Sequence, residues 1–178
     1  MIRAAHPDDY AFLYSLEAHP TLRYRWSTDR EMPTFELFVQ RMSQDPARQF
    51  VVLNHERERL GWLQAYNENL VSGHAWIGVF MRDEVIGTGL GIESIAVFLH
   101  YLFTTRPYRK LYAAVTEGAL PQFGRGEGRY FHVEGCLREN DYYNGSLHDR
   151  TILAFYATQW LEIMNRWGPR YGCDLKVN

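Results

Sequence analysis

The spacing of apolar residues changes several times along the chain, and each change marks a predicted element. Ile2–Ala4 is predicted to be a short strand. Residues 8–18 are predicted to form a helix with Asp8 or Asp9 as its cap, because a short acidic side chain accepts an unpaired backbone amide proton. Residues 21–32 have no period and predict a mobile loop, whereas residues 34–42 return to helical spacing. The first part of the chain is therefore predicted to be strand, helix, loop and helix.

Compact runs of β-branched and aromatic residues come next. They predict strands at residues 50–53, 60–66 and 75–81, the first two joined as a hairpin. A glycine-rich segment at residues 87–91 then leads into a helix with apolar residues every three to four positions. These positions are Ile92, Ile95, Ala96, Leu99, Leu102 and Phe103. The helix is therefore predicted to pack one face on a sheet.

The last third of the chain is predicted to be mostly strand. Three strands are expected, at residues 111–115, 130–137 and 147–156. Residues 116–128 are predicted to be poorly helical, because Pro121 and four glycines each oppose a helix. Asn144 and Gly145 predict the turn between the last two strands. A final helix is expected to run to about residue 167, with a tail from about residue 168.

The composition is that of a globular protein with its own core. Of the 178 residues, 46% are apolar and 15% aromatic, enough for a core without disulfides or metals. We find no internal repeat or linker, so one domain over residues 1–178 is expected. The 21 acidic and 19 basic residues are mixed and leave a net charge of −2. Without a basic stripe, neither nucleic acid nor a membrane is an expected partner.

Cysteine usage and the chain start indicate a compartment. Cys136 and Cys173 are far apart, and two cysteines make neither a disulfide framework nor a four-ligand zinc site, so no metal is expected. The first nine residues turn acidic where a signal peptide is apolar, and no run of about 18 apolar residues occurs. The sequence therefore predicts a cytoplasmic protein with free thiols.

The glycine-rich segment is the clearest chemical signal. A strand followed by Gly-x-Gly-x-Gly and a helix is typical of phosphate binding, because glycines let backbone amides converge on an anion at the positive end of the helix. A plain glycine-rich turn is the alternative. A Walker loop is excluded because no Gly-Lys-Ser/Thr occurs, and a dinucleotide fingerprint is broken at Ile92, where its third glycine would fall.

Two segments together resemble the GNAT superfamily of N-acetyltransferases, in particular the branch of ribosomal-protein N-terminal and small-amine enzymes. Residues 77–94 resemble its strand, Gln/Arg-x-x-Gly-x-Gly/Ala loop and helix start, and residues 131–138 its Phe-x-x-Glu-Gly-x-x-Arg strand. Asn144-Gly145 with His148-Asp149 resembles its closing hairpin. The resemblance implies an α/β (α+β) fold with a mixed, mostly antiparallel sheet whose two middle strands splay apart. It also implies a strand and a helix between residues 111 and 131.

The resemblance further implies acetyl-CoA as co-substrate. Its pantetheine arm would lie along Val79, Phe80 and Met81. Its pyrophosphate would be held by the backbone of the glycine loop and the helix start. The residues implied there are Ile86, Gly87, Thr88, Gly89, Leu90, Gly91 and Ile92.

Several positions depart from the family pattern. Ile86 stands where relatives have Gln or Arg, and Ala119 where they often have Asn. Gly126 occupies the position of the usual general-acid Tyr. Ala75 and Trp76 occupy the strand positions where relatives often carry a general-base Glu. These departures leave the general base without an obvious carboxylate.

Three residues are candidates for acid-base catalysis, each with a structural alternative. His74 adjoins the missing Glu and would titrate near neutrality, but such a residue is often a solvated turn histidine. Glu117 follows a strand that would face the thioester, and exposed loop glutamates are common. Tyr142 would donate a proton to the leaving thiolate, although turn-adjacent tyrosines usually cover the core. Ordered water can also take the proton, so direct transfer needs none of them.

The favoured function is transfer of an acetyl group from acetyl-CoA to a primary amine of a small molecule or peptide. The alternative is a catalytically degenerate GNAT domain that binds acyl-CoA or another ligand without turnover. A third hypothesis, a structural partner protein with an aromatic surface, predicts no CoA binding. Tyr24, Arg25 and Trp26 would line an acceptor pocket or a homodimer contact.

Overall fold

The computed structural model describes residues 1–20, 32–44, 48–124 and 126–171, with side chains to residue 166. The segment with Tyr24, Arg25 and Trp26 lies outside the described residues. The elements in chain order are β1 (Ile2–Ala4), α1 (Tyr10–Ala18), α2 (Phe35–Gln44), β2 (Gln49–Leu53), β3 (Arg59–Asn69), β4 (His74–Met81), α3 (Leu90–Thr105), β5 (Lys110–Thr116), β6 (His132–Tyr143), β7 (Ser146–Tyr156) and α4 (Ala157–Tyr171).

These strands form a seven-stranded sheet in the order β1-β2-β3-β4-β5-β7-β6. Neighbouring strands run antiparallel except β4 and β5, which run parallel. This confirms the predicted α/β fold with a mixed, mostly antiparallel sheet.

The parallel pairing of β4 with β5 is short. It joins His74 to Lys110, Ala75 to Leu111 and Trp76 to Tyr112, and then stops. Residues 77–81 and 113–116 continue on diverging paths. The splayed middle strands that the family resemblance implied are therefore present, with the apex of the wedge at Trp76 and Tyr112.

Successive side chains on a strand point to opposite faces, and the helices divide accordingly. On one face, α3 and α4 pack on alternate residues of the central strands, including Ile77 and Leu111. On the other face, α1 and α2 pack on β2, β3 and β4, with Phe38 buried against Trp62 at 6.0 Å between ring centroids. Neither β5 nor β7 contributes to this second core. The side chains of β5 and β7 on the face that carries α1 and α2 therefore form a surface of their own, which these helices do not cover.

The chain start is held to the sheet by a buried carboxylate. Asp9 is fully buried, and it accepts hydrogen bonds from Arg3, from Arg59 and from the backbone N–H of His6. Burial acts to raise the pKa of Asp9, but these hydrogen bonds outweigh it and hold the pKa well below its usual range. Asp9 is the N-cap residue of α1, but the predicted capping bond is wrong, because its side chain accepts no proton from the amides of this helix. Asp9 instead joins the start of α1 to β1 and β3.

Several boundaries differ from the sequence predictions. β6 extends to Tyr143, well beyond the predicted end at residue 137, and α4 continues through Tyr171. No α-helix lies between β5 and β6 among the described residues, where a 3-10 turn at Leu120–Phe123 stands in place of the implied helix. The Asn144-Gly145 turn is confirmed, with φ of 49° and 81°. Across the described ranges, no helix combines the length and apolar character needed to span a membrane.

Candidate active site

A cleft of about 330 Å³ opens between the diverging parts of β4 and β5. Its walls come from the end of β4, the glycine loop, the first turns of α3 and the 3-10 turn after β5. The lining residues are Val79, Met81, Val85, Ile86, Gly87, Gly89, Gly91, Ile92, Ile95, Ala119, Gln122 and Phe123. The cleft is thus mostly apolar along its length and ends at the backbone of a helix N-terminus.

The glycine loop presents unpaired amides to this end of the cleft. Its own turns use the N–H groups of Ile86 and Thr88, and Glu93 N–H bonds to the Gly89 carbonyl. Within the described residues, no group accepts a hydrogen bond from the amides of Gly87, Gly89, Gly91 and Ile92. Four free donors at the N-terminus of a 16-residue helix are an arrangement that favours a bound anion.

The loop conformation depends on glycine at two positions. Gly87 and Gly89 have φ of 82° and 87°, in the left-handed region that L side chains rarely adopt. A Cβ built on either residue would meet no atom within 4 Å, so both positions face open space. The backbone is therefore accessible to a large anionic group such as a pyrophosphate.

The strand edges fit the rest of an acyl-CoA. Past the apex, the backbone groups of β4 and β5 that face the wedge have no partner strand, and an extended ligand with amides can bond to them. The Val79 and Met81 side chains line the cleft. The Phe80 side chain alternates with them and stacks on Trp62 at 4.6 Å on the opposite face. Phe80 can therefore meet a ligand in the cleft only through its backbone, and its place along the pantetheine arm stays a prediction.

Some side chains of the glycine loop line the cleft and others do not. Ile86 and Ile92 line the cleft, whereas Thr88 and Leu90 are not among its walls. The Thr88 hydroxyl donates to the Val85 carbonyl and accepts from Leu90 N–H at 3.4 Å. Thr88 therefore shapes the loop. The role of residues 119–123 as one wall of the cleft was not predicted from the sequence. Pro121, in a segment that was predicted to be poorly helical, was the available signal for a turn at this position.

The three candidate catalytic residues lie apart. His74 is two residues before the apex, about 7 Å along β4, with its ring edge on Tyr112 and its Nδ1 buried without a hydrogen bond from described residues. Glu117 follows the open end of β5, about 16 Å beyond Tyr112 by strand spacing, and its side chain is 69% exposed. Tyr142 is 74% exposed beside the β6–β7 turn. Of the three, His74 is nearest to where the cleft narrows.

Two departures from the family pattern have a visible structural basis. A Cβ on Gly126 would lie 2.5 Å from Cε1 of Phe131, so a larger side chain there requires Phe131 to move. Ala119 is buried in the cleft wall, where it leaves apolar surface in place of an amide. Cys136 is exposed on the edge strand β6, and its Sγ lies 3.5 Å from Oδ2 of Asp149. It is not among the residues that line the cleft.

Comparison with known proteins agrees with this geometry. A family model described as an acetyltransferase (GNAT) domain matches residues 1–119. A search among curated proteins found no match. Because the family match spans well over half of the sequence, the chain belongs to the GNAT acetyltransferase family.

Similar solved structures include spermidine N-acetyltransferases of Vibrio cholerae. The complex with CoA and spermine has a TM-score of 0.79 at 21% identity, over 90% of this chain and 97% of that one. The complex with manganese ions has a TM-score of 0.77 at 20% identity, over 92% and 95% of the two chains. At these identities the likeness establishes the fold.

Proposed function

We propose that the chain works as one acetyl-CoA-dependent N-acetyltransferase domain, acting on a primary amine of a small molecule or peptide. The observation that carries this proposal is the cleft between β4 and β5, which joins open strand edges to four free amides of the glycine loop. Family membership favours acetyl transfer as the chemistry of such a cleft. The CoA and spermine complex of a similar fold supports a small amine as acceptor.

The parts of the cleft have separate tasks in this proposal. The amides of Gly87, Gly89, Gly91 and Ile92 hold the pyrophosphate, and Val79 and Met81 contact the pantetheine arm. The thioester then lies near the apex, where an unpaired backbone N–H polarises its carbonyl. The amine lone pair attacks the carbonyl carbon, the C–S bond breaks, and the amine proton is lost as the thiolate gains one. The products are an N-acetylamine and free CoA.

His74 is our proposed proton acceptor. It is the candidate nearest to the apex, and its buried Nδ1 has no hydrogen-bond partner among the described residues, so a proton from the amine would reach the ring through Nε2 or through a bridging water. Ordered water is the competing acceptor, because positioning of the amine supplies much of the rate in such a transfer. The two are distinguished by the pH dependence described below.

A second candidate function is binding of acyl-CoA without turnover. Ile86 adds no charge near the expected phosphates, Ala119 no amide, and the strand positions of the usual Glu hold Ala75 and Trp76. These residues lower the expected affinity and remove the usual base while leaving the cleft intact.

The test combines two measurements on the same protein. Calorimetric titration with CoA is expected to give saturable binding, and thiol release from acetyl-CoA is expected with at least one member of a panel of primary amines. CoA binding without thiol release over the whole panel would favour the binding domain. Absence of CoA binding would refute both functions.

A further inference from the structure

A row of aromatic side chains crosses the sheet at the apex of the wedge. Tyr66 of β3 pairs with Trp76 of β4, and Trp76 with Tyr112 of β5, all on the face opposite α3. The Trp76 and Tyr112 rings lie 5.0 Å apart with 30° between their planes. Both are half-buried, and neither belongs to the core under α1 and α2. We call Trp76 and Tyr112 the aromatic shelf.

The shelf borders the opening through which a thioester and an amine must meet. Trp76 and Tyr112 are the last paired residues before the strands diverge. The next residues on the same face are Gly78 and Ala114. The Gln64 side chain covers Gly78, since its Nε2 lies 2.8 Å from where a Cβ of Gly78 would stand. Ala114 is only partly buried, so the open side of the rings is the β5 side, away from α3.

Charge next to the shelf is already paired. Lys110 Nζ lies 4.6 Å from the centroid of the Tyr112 ring and donates to both carboxylate oxygens of Glu134 at 2.9 Å. The Tyr156 hydroxyl donates to the same carboxylate. Burial acts to raise the pKa of Glu134, but the bonds from Tyr156 and Lys110 outweigh it and the pKa is lowered. Glu134 thus stays ionised and neutralises Lys110.

We propose that the aromatic shelf is the acceptor subsite and that it selects primary amines with an aromatic or branched apolar group and a single positive charge. This rests on the proposed acetyltransferase function. The flat rings bury an apolar group and attract one ammonium through their faces, with tryptophan the strongest such surface. A second ammonium would lose hydration beside the rings and find no carboxylate to pair with there, because Glu134 already pairs with Lys110.

A matched pair of amines tests the charge selection. Benzylamine and 4-(aminomethyl)benzylamine share one ring and differ by one ammonium group. We expect kcat/KM for benzylamine to exceed that for the diamine and for spermidine by about tenfold or more. Equal values, or a preference for spermidine, would overturn the selection. The Glu134→Gln variant leaves Lys110 beside the shelf without its carboxylate and is expected to widen the preference for benzylamine over the diamine; an unchanged ratio would count against the role of the Lys110–Glu134 pair.

Variants of Trp76 test the location of the subsite. Trp76→Ala is expected to raise KM for benzylamine about tenfold or more with CoA affinity unchanged, and Trp76→Phe to restore most of the loss. Melting temperatures and CoA titration show that the variants are folded. An unchanged KM in Trp76→Ala would overturn the proposal.

A binding measurement tests the acceptor subsite without relying on acetyl transfer. Benzylamine is titrated calorimetrically into the wild type and Trp76→Ala, each with and without CoA. Binding that weakens in Trp76→Ala supports the subsite even if no amine releases thiol, in which case the proposed activity alone fails. Benzylamine that does not bind to the wild type, or binds equally to Trp76→Ala, overturns the subsite whether or not other amines are acetylated.

Discussion

Replacing Gly91 by alanine is expected to strengthen the fold and weaken CoA binding at the same time. Gly91 is the second residue of α3, and a Cβ there would meet only Met81 Cγ at 3.9 Å, an ordinary contact. Alanine in place of helical glycine should stabilise the protein by about 0.5–1 kcal/mol. The new methyl group would stand in the cleft beside the free amides of Gly91 and Ile92. Loss of one charge-assisted hydrogen bond, about 1.5–3 kcal/mol, corresponds to a roughly ten- to hundredfold higher Kd for CoA.

Gly91→Ala is expected to raise stability and to lower CoA affinity. Partial unfolding therefore cannot explain the weaker binding, because the variant is the more stable protein. Thermal melting and calorimetric titration with CoA are compared for the wild type, Gly91→Ala and Gly135→Ala. Gly135 lies on β6 away from the cleft, and a Cβ there meets nothing within 4 Å, so its variant should bind CoA normally. Gly89 is a poorer probe, since its φ of 87° strains any L side chain. A Kd unchanged in Gly91→Ala would show that the pyrophosphate does not approach this turn.

Three further changes probe other parts of the molecule. Ile86→Arg is expected to tighten CoA by about 1 kcal/mol through one exposed phosphate contact, and titration at low and high salt should show the gain shrinking. His74→Ala should lower kcat about a hundredfold or more at saturating amine with CoA affinity unchanged, whereas a wild-type pH midpoint that follows amine basicity would assign the proton to water. Asp9→Asn should cost about 2 kcal/mol at pH 7 in urea unfolding, less than for a fully buried ion pair because both arginines are partly exposed. Since the pKa of Asp9 is depressed in the fold, this difference should vanish as the pH falls from about 4 through the folded pKa; a constant difference would contradict it.

Much of the fold could be predicted because most elements bury one face. The apolar stripe of α3 and the compact β-branched runs of β2 and β4 are direct consequences of that burial. β6 was predicted too short because its second half has no buried face. Residues 138–143 belong to an edge strand whose side chains are almost all exposed, so they carry no alternation. Pairing energy in this region comes from backbone bonds to β7, which leave no trace in composition.

The candidate site was predictable where backbone conformation demands a residue type. Glycine at positive φ in residues 87 and 89 is such a case. The place of Phe80 was also available from strand alternation with Val79 and Met81. In contrast, the contact between Lys110 and Glu134 joins residues 24 apart in sequence. It depends on the order and register of β5, β7 and β6, which no local pattern encodes.

The three-pair ladder between β4 and β5 divides the sheet into two antiparallel halves, β1 to β4 and β5, β7 and β6. Besides this ladder, the halves share the core under α3. Local opening of a structure follows such short ladders, because few backbone bonds must break there. A ligand that bonds to both strand edges in the wedge would act as an additional strand and join the halves. Local opening between the halves would then be rarer with the ligand bound than without it, while the shared core keeps the two halves in one cooperative unit.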